Sequence, residues 1–239
     1  MNIRQSPYGR YLQSFINKEG LAHFHRPFIR ADGRYIMGYY LHHFQEISRR
    51  TEYGQIPFPR PWPSKKVLET LVEWTRADPF AYAMTLVKFL QLGPRHPTLQ
   101  LRMAVDRFSS LASGKTSFMY PLDALYDTIL TANSDHADHK QTRDVLAAIL
   151  LFSQDSIDPT PANIELVLGL PEGQVALTLR GMHSVLDIRG REDNIRLFDV
   201  QFREYLLNQS RSHHFHIDVP AQRQAIERRW LHNLSPVSG

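Results

Sequence analysis

The chain has no cysteine in its 239 residues. That excludes a disulfide framework and a thiolate metal site, and it fits a reducing compartment. No apolar run approaches the roughly 20 residues of a membrane-spanning helix. The N-terminus, with Arg4, Gln5 and Arg10, has no signal-peptide core, so a soluble, cytoplasmic protein is expected. Catalytic signatures are also missing: there is no Gly-x-Ser-x-Gly elbow and no readable pair of carboxylates. Gly114-Lys-Thr116 has the ending of a phosphate-binding loop, but Ser109 stands where that loop needs its first glycine. A helix is expected before it where a strand is required, and Pro121 delays the helix that should follow at once. No cofactor is expected.

What remains is apolar enough to fold. At 42% hydrophobic and 11% aromatic, the chain can bury one core or two small ones. Its charge of +4 is uneven: residues 1–66 carry eleven Lys/Arg against four acids, a surplus of seven. A basic third of this kind can face nucleic acid or an acidic partner, but no single helix gathers the charges, and a solvated surface is the simpler reading.

Read in order, residues 1–33 are broken by Gly20, Pro27 and Gly33. Ile36, Tyr40, Leu41, Phe44 and Ile47 then recur at helical spacing. Four prolines in Pro57-Phe-Pro-Arg-Pro-Trp-Pro63 make a stiff connector, with Trp62 as the anchor of the turn. Ser64 is placed to cap a helix whose inward face is Val67, Leu68, Leu71, Val72 and Thr75. A second helix from Pro79 shows Tyr82, Leu86, Phe89 and Leu90 on its apolar side, and a third around 99–108 completes a small bundle. Leu122, Leu125, Tyr126, Ile129 and Leu130 mark one more amphipathic helix.

The stretch 142–207 organises the rest. Val145-Leu-Ala-Ala-Ile-Leu-Leu-Phe152 is too uniformly apolar for a surface helix and predicts a buried one. Thr160-Pro161 supplies an N-cap and a first-turn proline, and Ile164 to Leu168 a short helix. A third helix is predicted over Glu172–Met182, with Val175, Leu179 and Met182 on one face. The period then changes to two. Residues 184–188 and 194–198 read as a hairpin around Gly190-Arg-Glu-Asp193, and a further helix carries Phe202, Tyr205 and Leu206. Three helices followed by a two-stranded ribbon is the winged-helix arrangement. After a turn at 208–213, a trailing helix over 221–234 presents Ile226, Trp230, Leu231 and Leu234.

These residues also carry a resemblance. Leu166-Val-Leu-Gly-Leu-Pro-Glu-Gly-Gln-Val175, Leu179-Arg-Gly-Met-His-Ser-Val-Leu186 and Ile195-Arg-Leu-Phe-Asp-Val-Gln-Phe202 with Tyr205-Leu-Leu207 resemble the winged-helix domain of fungal NACHT proteins. Those are signal-transducing NTPases of the STAND class. Pro61-Trp-Pro-Ser-Lys-Lys-Val-Leu68 with Phe80-Ala-Tyr-Ala83 and Val87-Lys-Phe89 resembles the helical domain before it. The resemblance implies a mainly α chain in four parts. Residues 1–60 would be a basic leader, the end of a nucleotide-binding domain, and 61–118 a helical domain. Residues 119–208 would be a winged helix with a two-stranded β wing, and 209–239 a trailing helix that begins a further helical region.

In the family, a histidine at the end of the second wing strand touches the terminal phosphate of ADP. Asp199 matches that position, and a carboxylate repels a diphosphate. The family's glycine-rich entry to the second helix of its helical domain is replaced by Arg76-Ala-Asp-Pro79, and no Walker segment is present. A degenerate or truncated NACHT-type signalling protein is therefore expected, not itself an enzyme, acting through protein contacts. The alternatives are a nucleic-acid-binding winged helix and an incomplete gene model of an ATP-dependent switch. Specific DNA reading is disfavoured because the predicted third helix offers only Gln174 and Arg180, while Glu172 repels phosphate. Asp135-His-Ala-Asp-His139 and His213, His214 and His216 have metal-compatible residue types, but each lacks ligands from a second segment, so solvated loops are expected. Asp199 is expected to face the nucleotide side and to be dispensable for folding. Phe202 is expected to insert between its own helix and the helix at 145–152.

Overall fold

The computed structural model describes residues 33–50, 56–75, 79–112, 121–132 and 139–234. Most of the basic leader, Gly114-Lys-Thr116, Arg76-Ala-Asp and residues 133–138 lie outside these ranges. The described chain is mainly helical with one small antiparallel sheet. No helix among the described residues is long and apolar enough to cross a membrane.

Helix α1 (Gly33–Arg49) buries Ile36, Tyr40, Phe44 and Ile47, as its spacing predicts. Leu41 was expected with them but is exposed. Consecutive positions are about 100° apart around a helix, and the buried stripe runs through Tyr40 instead. Phe44 meets the ring of Trp62 at 5.3 Å, and Trp62 meets Phe58 at 4.6 Å, so the proline-rich connector is pinned to α1 by aromatic contacts. Ser64 then caps α2 (Lys65–Trp74), its hydroxyl accepting from the Val67 N–H.

Helix α3 (Pro79–Leu92) packs against α1, α4 (Pro97–Ala112) and α5 (Pro121–Ala132). At its end the buried Gln100 side chain donates from Nε2 to the Phe89 carbonyl at 2.6 Å. A Cβ on Gly93 would lie 1.7 Å from that nitrogen and 2.6 Å from the Phe89 oxygen, so the close approach, not a positive φ, requires glycine there.

Helices α5 and α6 (His139–Gln154) are buried almost all round. Together they bring three carboxylates into the interior, and each of these meets an arginine from another element. Asp123 accepts two bonds from Arg211 at 2.6 and 3.0 Å, Asp127 accepts from Arg107 at 2.6 Å, and Asp144 accepts from Arg229 at 2.8 Å. These pairs fix which helix lies against which, since removing either partner leaves a charge without its counterion.

Next come α7 (Pro161–Leu168), α8 (Gln174–Thr178), β1 (Leu186–Asp187), β2 (Arg196–Leu197), α9 (Val200–Leu207), α10 (Gln209–Ser212), a 3-10 turn at His213–Phe215 and α11 (Val219–Leu234). Thr160 caps α7, accepting from the Asn163 N–H. Two elements are shorter than predicted. The third helix starts only after Gly173, at φ +81, and stops at Thr178. Leu179 and Met182 are nevertheless buried, carried inward by turns. In the wing, only Leu186↔Leu197 and Asp187↔Arg196 are paired. Other backbone groups of the ribbon bond outside it, the Leu186 N–H to the Met182 carbonyl and the Ile195 N–H to that of Pro159, so the ladder stays short. The turn expected after Leu207 contains α10, capped by the Asn208 side chain.

Buried apolar residues from Ile36 to Ile226 form one continuous cluster. It includes residues on both sides of the boundary expected between residues 118 and 119.

Candidate functional site

The wing sits on a buried carboxylate. Glu165 of α7 accepts from the Val175 N–H at 3.2 Å and pairs with Arg191 at 3.2 Å, so one side chain joins the second helix, the third helix and the wing turn. That turn is closed by Asp193, which accepts from the Gly190 N–H at 3.0 Å. At the wing's far end the Phe198 N–H donates to the Val185 carbonyl at 3.0 Å. The Phe198 ring lies under the ammonium of Lys88, 3.7 Å from its centroid, which ties the wing to α3.

Asp199 follows at once, and it is buried and bonded where an open, nucleotide-facing side chain was expected. It is 5% exposed. Its backbone is extended, with φ −129 and ψ 122, and its Oδ1 accepts from the Gln201 N–H at 2.7 Å, which makes it the N-cap of α9. Its Oδ2 accepts from the Tyr126 hydroxyl at 2.5 Å. Burial pushes its pKa up to about 6, with Glu204 adding to the rise and the Gln201 N–H opposing it. Both oxygens are thus engaged inside the protein. The carboxylate is a cap and an anchor, because at an N-cap the side chain must fold back onto its own helix.

Phe202 is fully buried one turn further on, its ring 5.0 Å from that of Tyr126 and 6.4 Å from that of Tyr205. Burial was expected, but the aromatic partner on α5 was not. Tyr126 had been legible only as one apolar position of an amphipathic helix. The cap itself had a local signal, an aspartate directly before Val200-Gln-Phe-Arg-Glu204.

Beside Asp199 lies a cleft of about 590 Å³, bounded by the end of α6, the 156–159 loop, β2 and the first turn of α9. Leu150, Ile157 and Val200 supply its apolar lining, and Asp158, Asn194, Arg196 and Arg203 its polar lining. The Asp158 carboxylate accepts from the Asn194 amide at 2.8 Å. Motif reading missed Arg196 and Arg203, because neither stands in a recognisable pattern.

On α8, Val175 and Thr178 are buried, Gln174 is half-buried, and Ala176 and Leu177 are exposed, the latter by 53%. Arg180 is exposed just beyond its end. Of the two histidine clusters, Asp135, His136 and Asp138 lie outside the described residues, while the His139 ring stands 5.2 Å from that of Phe215. His213, His214 and His216 belong to the 3-10 turn and its flank. No group of three or more His, Asp or Glu among the described residues is placed to hold a metal ion.

No family model matches this chain, and neither a curated protein nor a solved structure matches it.

Proposed function

We propose that this chain is a cytoplasmic signalling module of the NACHT/STAND type that works through protein contacts and hydrolyses no nucleotide itself. One observation carries the reading: the solvent side of the third helix displays Leu177 and Ala176 where a nucleic-acid reader would display several polar side chains. An exposed leucine there makes no hydrogen bond to a base edge and offers at most a contact to a thymine methyl, whereas it is an ordinary contribution to a protein interface. Asp199 supports the second half. At the position of the family's phosphate-touching histidine stands a carboxylate whose two oxygens are already bonded to Tyr126 and Gln201.

Calorimetric titration of the purified chain with ATP and ADP tests the nucleotide half. No saturable heat is expected, and binding at micromolar affinity or tighter overturns it. Titration with duplex DNA tests the rival, nucleic-acid reading. Any binding should be weak, blind to sequence and lost as salt rises. A sequence-specific complex that survives physiological salt and disappears with Arg180→Ala would make the winged helix a DNA reader.

A further inference from the structure

The cleft beside Asp199 has a lining that the proposed function leaves unused. Arg196 and Arg203 both border it, both are exposed, and neither has a hydrogen-bond or ion-pair partner among the described residues. Their neighbours on the wing are engaged, Arg189 with Asp187 at 2.9 Å and Arg191 with Glu165 at 3.2 Å. Neither acid of the cleft pairs with these guanidiniums: Asp158 accepts from the Asn194 amide through Oδ1, and Asp199 accepts from Tyr126 and Gln201. The apolar part of the lining is open to water as well: Ile157 is 48% exposed and Val200 53%, above the buried Leu150.

Each feature constrains the occupant. Guanidiniums with unused donors match carboxylates or phosphates, which they grip in a planar, bidentate fork. A free phosphate or a nucleic-acid backbone would meet the arginines but leave Ile157 and Val200 uncovered. A peptide with carboxylates beside an apolar side chain covers both, and about 590 Å³ is room for a few side chains. We propose that this cleft docks a short acidic segment of a partner protein. An apolar side chain would rest on Leu150, Ile157 and Val200, and flanking carboxylates would bind Arg196 and Arg203. The proposal rests on the protein-contact reading above and gives it a site and a partner chemistry.

The test is selection from a random peptide display library on the purified full chain, followed by fluorescence anisotropy of the enriched peptides. Enriched sequences should carry Asp or Glu next to Leu, Ile or Phe. Their affinity should fall at least tenfold in Arg196→Glu/Arg203→Glu, fall less in Arg196→Gln/Arg203→Gln, and stay unchanged in Arg102→Gln, an exposed arginine of α4 outside the cleft. Both arginines are exposed and unpaired, so the melting temperature should not move; if the glutamate pair unfolds the protein, the glutamine pair decides. Peptides indifferent to the arginine variants would overturn the cleft and leave the protein-contact reading intact. Displacement of the peptides by inorganic phosphate at constant ionic strength would make the cleft a small-anion site and overturn the peptide assignment. If no peptide is enriched, the cleft proposal falls, while the protein-contact reading still stands on the exposed face of the third helix.

Discussion

The Tyr126 hydroxyl donates to Asp199 Oδ2 at 2.5 Å, a bond that spans 73 residues of sequence and joins α5 to the first turn of α9. Around it, the rings of Tyr126, Phe202 and Tyr205 pack against one another. The end of the wing is therefore held by a buried polar contact inside an aromatic cluster, and substitutions there act on folding first.

Asp199→Ala removes the cap of α9 and leaves the Tyr126 hydroxyl buried without an acceptor. Losses of a cap and of a buried partner together should cost about 2–3 kcal/mol in urea denaturation. Asp199→His should also destabilise, because the larger ring must enter a closed site, whereas Asp199→Asn keeps an acceptor and a good cap and should be mild. If Asp199→Ala unfolds within about 0.5 kcal/mol of the wild type, the anchor role is wrong.

The same carboxylate should make stability depend on pH. Its folded pKa of about 6 lies above the unfolded value of 3.8. The folded state therefore binds more protons in that window, and stability falls as pH rises from about 4 to 6, then levels off. The loss amounts to roughly 3 kcal/mol. Denaturation curves taken from pH 4 to 7 should show it in the wild type and not in Asp199→Asn. Equal slopes for the two proteins would remove Asp199 as the cause.

Phe202→Ala empties the centre of the aromatic cluster. Truncating a fully buried phenylalanine costs about 3–5 kcal/mol through lost transfer energy and a residual cavity. That is a large share of the roughly 5–15 kcal/mol that holds a typical domain folded. Phe202→Leu, which keeps much of the volume, should recover part of it. A melting temperature for Phe202→Ala equal to that of the wild type would contradict the packing described.

Gly93→Ala tests the other end of the fold. Its Cβ has no room beside Gln100 Nε2 and the Phe89 carbonyl, so the buried bond between them must break or α3 and α4 must separate. A loss of about 1–3 kcal/mol is expected. Gly93→Ala combined with Gln100→Ala should cost less than the sum of the two single changes, since both act on one contact. Strict additivity would show that the contact is not shared.

Much of this fold was legible in the sequence because its signals act over a few residues. The caps Ser64 and Thr160, the buried run 145–152, the placement of the wing and the burial of Phe202 follow from hydroxyl-to-amide geometry and from hydrophobic period. The length of the third helix and of the wing strands was not legible. It depends on where backbone groups such as the Ile195 N–H find partners, and the Pro159 carbonyl comes from another loop. The role of Asp199 was decided the same way. By itself the sequence determined an aspartate at the start of a helix, while only the packing of α5 against α9 placed Tyr126 over it and closed it from solvent. The cleft with Arg196 and Arg203 is likewise a product of tertiary structure. A charge is unpaired, or an apolar residue uncovered, only relative to neighbours that the chain brings together from 150 to 203.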